Sequence, residues 1–171
     1  MGALMSTVAA GGTPSAHGRA IDGWAFARTG SQLAGADTGG SFPRAIESGA
    51  VIDRVTYVID GRTRLNGKLI LQLSVTGSAQ MQCQRCMESV GVAIAIDTEL
   101  ELAVDQAAID ANDDDVDRVV GTNTMDVLEL VEDEVLLALP MVARHSDCQP
   151  FEVGDVSESA LAHALRARIN S

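Results

Sequence analysis

The sequence predicts an α+β fold: a small antiparallel, meander-like β-sheet covered by one main helix, with a short C-terminal helix and a disordered N-terminal tail. Three observations carry this. Residues 68–76 and 90–104 alternate apolar and polar side chains, the period of a strand with one buried face. Residues 126–139 repeat apolar side chains at helical spacing and stop at Pro140, which cannot continue a helix. The chain has 171 residues, 46% of them hydrophobic, which suits a single domain with its own core and excludes an intrinsically disordered chain. Aromatic residues are only 3%, so the core is expected to be built from Val, Ile, Leu and Ala.

In chain order, residues 1–18 are rich in Gly, Ala and Ser and read as a tail, leaving residues 19–171 as one domain. Ile21, Trp24 and Phe26 form an apolar cluster, followed by a Gly-rich connector to residue 40. Residues 42–48 suit a short helix or a loop. Residues 51–60 are rich in Val, Ile and Tyr and read as a strand closed by a turn at Gly61. In the next strand Leu69, Leu71, Leu73 and Val75 share one face, and Gly77 and Ser78 signal a break or tight turn. The third strand places Val90, Val92, Ile94, Ile96, Leu100, Leu102 and Val104 on its inner face, with Asp97, Glu99, Glu101 and Asp105 on the wet one. Residues 105–118 form an acidic loop without periodicity.

Asp126 and Glu129 resemble a capping pair at the start of the main helix. Leu128, Val131, Val135, Ala138 and Leu139 form its main stripe, and Leu130 and Leu137 fall nearly opposite, on a side left for a partner or another segment. Glu132 falls inside the main stripe, where a carboxylate requires the rim or a cationic partner. Residues 157–169 carry Leu161, Leu165 and Ile169 at four-residue spacing, as a short amphipathic helix would.

The charge is strongly uneven. Acidic residues number 24 and basic ones 12, a net charge of −12, and Lys68 is the sole lysine. Residues 1–96 carry +2, residues 97–134 carry −13 and residues 135–171 carry −1. The overall balance excludes a general nucleic-acid coating protein and docking on an anionic membrane surface. The apolar runs at residues 69–75 and 135–142 are too short to span a membrane. Without a recognisable export signal, the three cysteines are expected to stay reduced or bind metal in the cytoplasm.

Cys83 and Cys86 form C-Q-R-C, and His145 and Cys148 form H-S-D-C. Three thiolates and an imidazole in two x-x-spaced pairs are a normal ligand set for tetrahedral zinc. Unliganded reduced thiols and redox chemistry are the other two readings, the last weakened because Cys83 does not open a helix, the setting that lowers a thiol pKa. No nucleophile–His–acid arrangement and no phosphate-cradling loop has supporting context, so neither catalysis nor a small-molecule substrate is expected.

Three stretches taken together resemble the bacterial YceD family, the large ribosomal RNA subunit accumulation proteins. They are Ile21-Asp22-x-x-x-Phe26-Ala27-Arg28; Cys83-Gln84-Arg85-Cys86-Met87-Glu88; and Asp126-Val127-Leu128-Glu129-Leu130-Val131-Glu132-Asp133-Glu134 continuing through Ala138-Leu139-Pro140 to His145 and Cys148. The resemblance covers roughly residues 20–150. Met87 stands where the family pattern carries a small residue or Leu. The resemblance implies a non-catalytic cytoplasmic protein linked to synthesis, processing or stability of 23S ribosomal RNA.

Two modes of action follow from the charges. In the first, an acidic face meets a basic ribosomal protein or assembly factor, using Asp113, Asp114, Asp115 and Asp133 with Leu130 and Leu137 as apolar centre. In the second, Arg54, Arg62, Arg64, Lys68 and Arg85 form a local patch touching ribosomal RNA directly, on a zinc-clipped module. A C-x-x-C thiol oxidoreductase centred on Cys83 and Cys86 is a third.

Overall fold

The computed structural model describes residues 20–112 and 114–150. The tail at residues 1–18 and the amphipathic segment at residues 157–169 lie outside these residues. The elements in order are β1 (Ala20–Ile21), α1 (Gly23–Thr29), β2 (Gln32–Asp37), α2 (Pro43–Glu47), β3 (Val51–Thr63), β4 (Leu69–Gln82), β5 (Ser89–Ala103), α3 (Gln106–Asp110), β6 (Arg118–Val120), β7 (Met125–Asp126) and α4 (Val127–Ala138). The α+β class holds, but the sheet is larger and mixed. Its strand order is β2-β3-β4-β5-β6, with β1 and β7 forming a separate two-stranded ribbon. The first four strands run antiparallel, and β6 joins β5 in parallel after the crossover through α3.

The single-helix, all-antiparallel expectation is therefore corrected at three places. The apolar cluster at Trp24 and Phe26 lies in helix α1, the Gly-rich connector after it holds edge strand β2, and residues 42–48 do contain a helix, α2. Gly30 ends α1 in the left-handed region, with its N–H on the Ala27 and Phe26 carbonyls. The acidic loop contains a helical turn capped by Asp105 and the short strand β6. No break occurs at Gly77, since β4 runs unbroken through it. The register of β3 slips between Ile52 and Arg54, and a Cβ at residue 77 would collide with the Arg54 carbonyl. The glycine thus marks close approach of a β-bulge rather than a turn.

One face of the sheet is apolar. Val55, Tyr57 and Ile59 of β3 lie beside Leu71, Leu73 and Val75 of β4, with Ile94 and Leu100 of β5 beyond, and α4 covers this face with Val127, Val131 and Val135. The core is mostly aliphatic as expected, although Phe42 and Tyr57 are fully buried in it. Asp126 caps α4 as expected, accepting from the Leu128 and Glu129 amides. The buried stripe of α4 is shifted from the expected one: Leu130 is buried, while Ala138 and Leu137 are exposed.

Two carboxylates enter the interior. Glu132 is 4% exposed and receives the amides of Arg44 (2.7 Å) and Ala45 (3.1 Å) and the Arg44 guanidinium (2.9 Å). It ties α4 to the start of α2, the cationic partner that its place in the stripe required. Glu101, expected on the wet face, is 5% exposed. Strand β6 brings Arg118 beside it at 3.3 Å, and Lys68 reaches it at 3.0 Å. Burial pushes its carboxyl up, but the hydrogen bonds from Lys68 and Arg118 outweigh this and hold its pKa below the ordinary 4.5.

Candidate metal centre

The turn between β4 and β5 carries Cys83 and Cys86, and the loop after α4 carries His145 and Cys148. Local backbone bonds shape the turn: the Cys83 amide donates to the Glu88 carbonyl (2.8 Å) and the Met87 amide to the Cys83 carbonyl (2.9 Å). Closing it places Met87 at a φ of 65°, the left-handed region. The loop is then held against the turn by the Gln84 amide on the Ala143 carbonyl at 2.9 Å.

These bonds bring four ligand atoms to within 4.8 Å of one another, one each from Cys83, Cys86, His145 and Cys148. The Cys83 and Cys148 sulfurs lie 3.8 Å apart, and the Cys86 sulfur lies 3.3 Å from His145 Nδ1. Tetrahedral zinc with bonds of about 2.3 Å to sulfur and about 2.0 Å to nitrogen separates its ligands by about 3.8 Å for S···S and about 3.5 Å for S···N. These two separations match that ion, and the four atoms together could hold it. The arrangement is too open for a disulfide between Cys83 and Cys148, which needs sulfurs about 2.0 Å apart.

The surroundings agree with the donor set. His145 Nε2 lies 3.1 Å from the Ser89 carbonyl, which can only accept. The proton therefore sits on Nε2, leaving the Nδ1 lone pair facing the thiolates, and the carbonyl fixes the ring orientation as an outer-shell partner does in metal sites. The backbone N–H groups of Cys86, His145 and Arg85 turn toward the Cys83 sulfur; their hydrogen bonds outweigh burial and pull its thiol down to about 5. Desolvation and the neighbouring Cys83 and Cys86 sulfurs push the Cys148 thiol up to about 11. Converging sulfurs that repel one another in this way are ones a central cation would stabilise as thiolates. Cys83 is fully buried, unlike the partly exposed Cys86 and Cys148.

The other expected residues are not gathered so well. Arg64 pairs with Glu99 and Lys68 with Glu101, while Arg54, Arg62 and Arg85 are exposed. Arg54 and Arg62 stand eight positions apart on β3, about 26 Å, and Arg85 lies at the opposite end of β4 from Lys68. They form no single patch. In the acidic set, Asp114 pairs with Arg118 and Asp133 with Arg44, each at 2.5 Å, and Asp115 is exposed. Leu137 is 80% exposed whereas Leu130 is only 6% exposed, so only Leu137 of the two is presented to a partner. Asp113 lies outside the described residues.

Sequence reasoning did not find Arg44, Arg118 or Ser89. The misplaced Glu132 signalled a cation, but its partner lies 88 residues away and the pattern cannot name it. Among the described residues no helix is long and apolar enough to cross a membrane.

Comparison with curated proteins and with solved structures returns no match. A family model described as large ribosomal RNA subunit accumulation protein YceD matches residues 71–166, more than half of the chain, a span that begins in β4 and contains all four residues that could hold a metal ion. The chain belongs to the YceD family.

Proposed function

We propose that this protein is a non-catalytic accessory factor supporting the accumulation of 23S ribosomal RNA, held in shape by a structural zinc ion and acting through an acidic face on a basic protein partner. The family supports the ribosomal RNA role. The observation that carries the non-catalytic reading is the closed ligand set: three thiolates and one imidazole fill four positions, whereas catalytic zinc keeps one open for water or substrate.

The ion would be held by Cys83, Cys86, His145 and Cys148, supplying a positive centre that pins the loop after α4 to the β4–β5 turn. The acidic face is what remains of the −13 block once internal pairing is subtracted. Glu99, Glu101, Asp114, Glu132 and Asp133 are paired, while Asp97, Asp115, Asp117 and Glu134 have no cationic partner among the described residues. Burial, then the nearby Asp117 and Asp133 carboxylates, push the Glu134 carboxyl up. Such a group gains from an approaching Lys or Arg.

Native mass spectrometry of the purified chain tests the metal, with one zinc per chain expected and a metal-free folded chain overturning it. Co-sedimentation with large-subunit precursor particles tests the partner. The triple variant Asp115→Lys, Asp117→Lys, Glu134→Lys is expected to be lost from the particles, and unchanged sedimentation would overturn the acidic-face reading.

A further inference from the structure

Among the described residues, strand β5 has one side paired along almost its whole length and the other side mostly unpaired. Ser89 through Glu101 pair with β4, but on the far side only Glu101, Leu102 and Ala103 pair with β6. The direction of the bare groups follows from their neighbours. The Glu101 amide donates outward to the Asp117 carbonyl, the Ala103 carbonyl accepts from Gly121, and the Ser89 carbonyl meets His145. Antiparallel pairing turns alternate residues outward, and the β4–β5 register has no slip. Gly91, Ala93, Ala95, Asp97 and Glu99 therefore also point their N–H and C=O groups away from β4. None of these groups has a hydrogen-bond partner among the described residues.

This bare edge spans about 27 Å, longer than most whole strands. Proteins guard such edges with Pro, Lys, bulges or a covering segment. Here the stretch contains neither Pro nor Lys, and Gly91, Ala93 and Ala95 are exposed and small enough to let another backbone come close. On the apolar face the half-buried Val92 and Ile96 border the same edge. At its Glu99 end stand the carboxylates without cations, Asp97, Asp117 and Glu134, with the Asp117 charge among those that raise the Glu134 pKa.

We infer that the open edge of β5, from Gly91 to Glu99, is where the partner binds, by adding an extended, lysine- or arginine-bearing segment as a further strand of the sheet. This rests on the acidic-face reading above and gives it a mode: backbone pairing supplies affinity, and the acidic end selects a basic strand and fixes its register. A second copy of this chain is a poorer occupant, because it would bring the same acidic cluster and a net charge of −12 to the seam.

The test uses the full chain and two synthetic nine-residue peptides of alternating Lys and Val, one unmodified and one N-methylated at every backbone amide. Both carry the same charge, but only the first can pair as a strand. With the unmodified peptide, amide exchange at Gly91, Ala93, Ala95, Asp97 and Glu99 is expected to slow by at least about tenfold, with no such change for the methylated one. Ala95→Pro removes an N–H that serves no bond to β4 and is expected to weaken the peptide at least about tenfold. Ala95→Val, which keeps the N–H, binds as the parent does. Since proline can also unsettle the strand, the Asp117→Lys, Glu134→Lys double variant provides a second loss of binding. Equal binding of both peptides without protection would overturn the edge and leave the acidic-face reading standing. Binding of neither would remove both. Protection of the same amides in the free chain would also overturn the proposal, pointing to a second copy if it grew with protein concentration and to a segment of the same chain if it did not.

Discussion

The two ends of β5 are closed by different chemistry. At Ser89 the strand is held by the His145 ring, part of a cluster of four soft ligands with no carboxylate in it. At Glu101 it is held by a buried carboxylate between Lys68 and Arg118, with β6 laid alongside. The first closure would be completed by a cation among the thiolates. The second brings its own counter-charges and depends on proton concentration instead. The middle of the strand has neither, which is why the two ends can be broken separately and why the open stretch lies between them.

Stripping the metal should produce the largest effect, and it should stay at one end. Structural zinc contributes on the order of 10 kcal/mol where it alone organises a fold. Here the sheet has its own core of Val55, Ile59, Leu71, Leu73 and Val75, all fully buried. A chelator is therefore expected to free residues 143–148 while β3 and β4 remain folded. Hydrogen exchange checks this: the Gln84 amide, which donates to Ala143, should lose protection, and the Leu71 and Leu73 amides should keep theirs. Loss of protection throughout would mean that the metal end organises the whole sheet.

The ion-paired end should respond to mutation and pH. Glu101→Ala leaves the buried Arg118 guanidinium beside a cavity, with Asp114 as its remaining carboxylate, and is expected to lower unfolding free energy by about 3 kcal/mol, read from the urea midpoint. The sign of the pH effect follows from the depressed pKa. The Glu101 contribution is fully present above the unfolded-state value near 4.5 and is lost as pH falls through the lower folded value. The parent should therefore lose more stability than Glu101→Gln on acidification through this window. Equal slopes would show that the pairing contributes nothing.

Glu132 offers a third carboxylate environment and a smaller effect. Its cation, Arg44, is partly exposed at 41%, so its removal strands no buried charge. What remains unmet are two backbone amides, Arg44 and Ala45. Glu132→Ala is expected to cost about 2 kcal/mol in equilibrium unfolding. A larger loss would mean that α2 detaches from α4 altogether.

The same contrast explains what could be read along the chain. The candidate metal cluster was legible because paired x-x spacing is a local signal, and β4, β5 and α4 were legible because each is long and periodic. The Glu101 end was not. Strand β6 has three residues at the end of an aperiodic acidic stretch, too short to show a pattern, and it lays Arg118 against Glu101, which the alternation places outward. Strand β2 is hidden because Ala, Gly and Ala give it no β-branched signature, and Gly77 reads as a turn because its reason, the Arg54 carbonyl, lies across the sheet. Local pattern names residues whose partners are near in sequence. Leu130 and Glu101, whose burial is decided by distant elements, fall outside its reach.

The smallest effect returns to the metal end. Met87 holds a φ of 65° so that its amide can reach the Cys83 carbonyl and close the turn carrying two ligands. An L-residue there costs about 1–2 kcal/mol relative to its relaxed conformation, and glycine has no such cost but loses more entropy on folding. Met87 is also 45% exposed, so little burial is lost on its removal. Met87→Gly is therefore expected to raise stability by about 0.5–1 kcal/mol in the metal-bound protein, measured by urea unfolding, without changing the number of zinc ions bound. The comparison sharpens if the gain disappears in chelator: the turn is then held in its left-handed form by the ligands, and the strain belongs to the metal site. If the gain persists without metal, the hydrogen bonds of the turn suffice to impose it, and the Cys83–Cys86 half of the site is formed before the ion arrives.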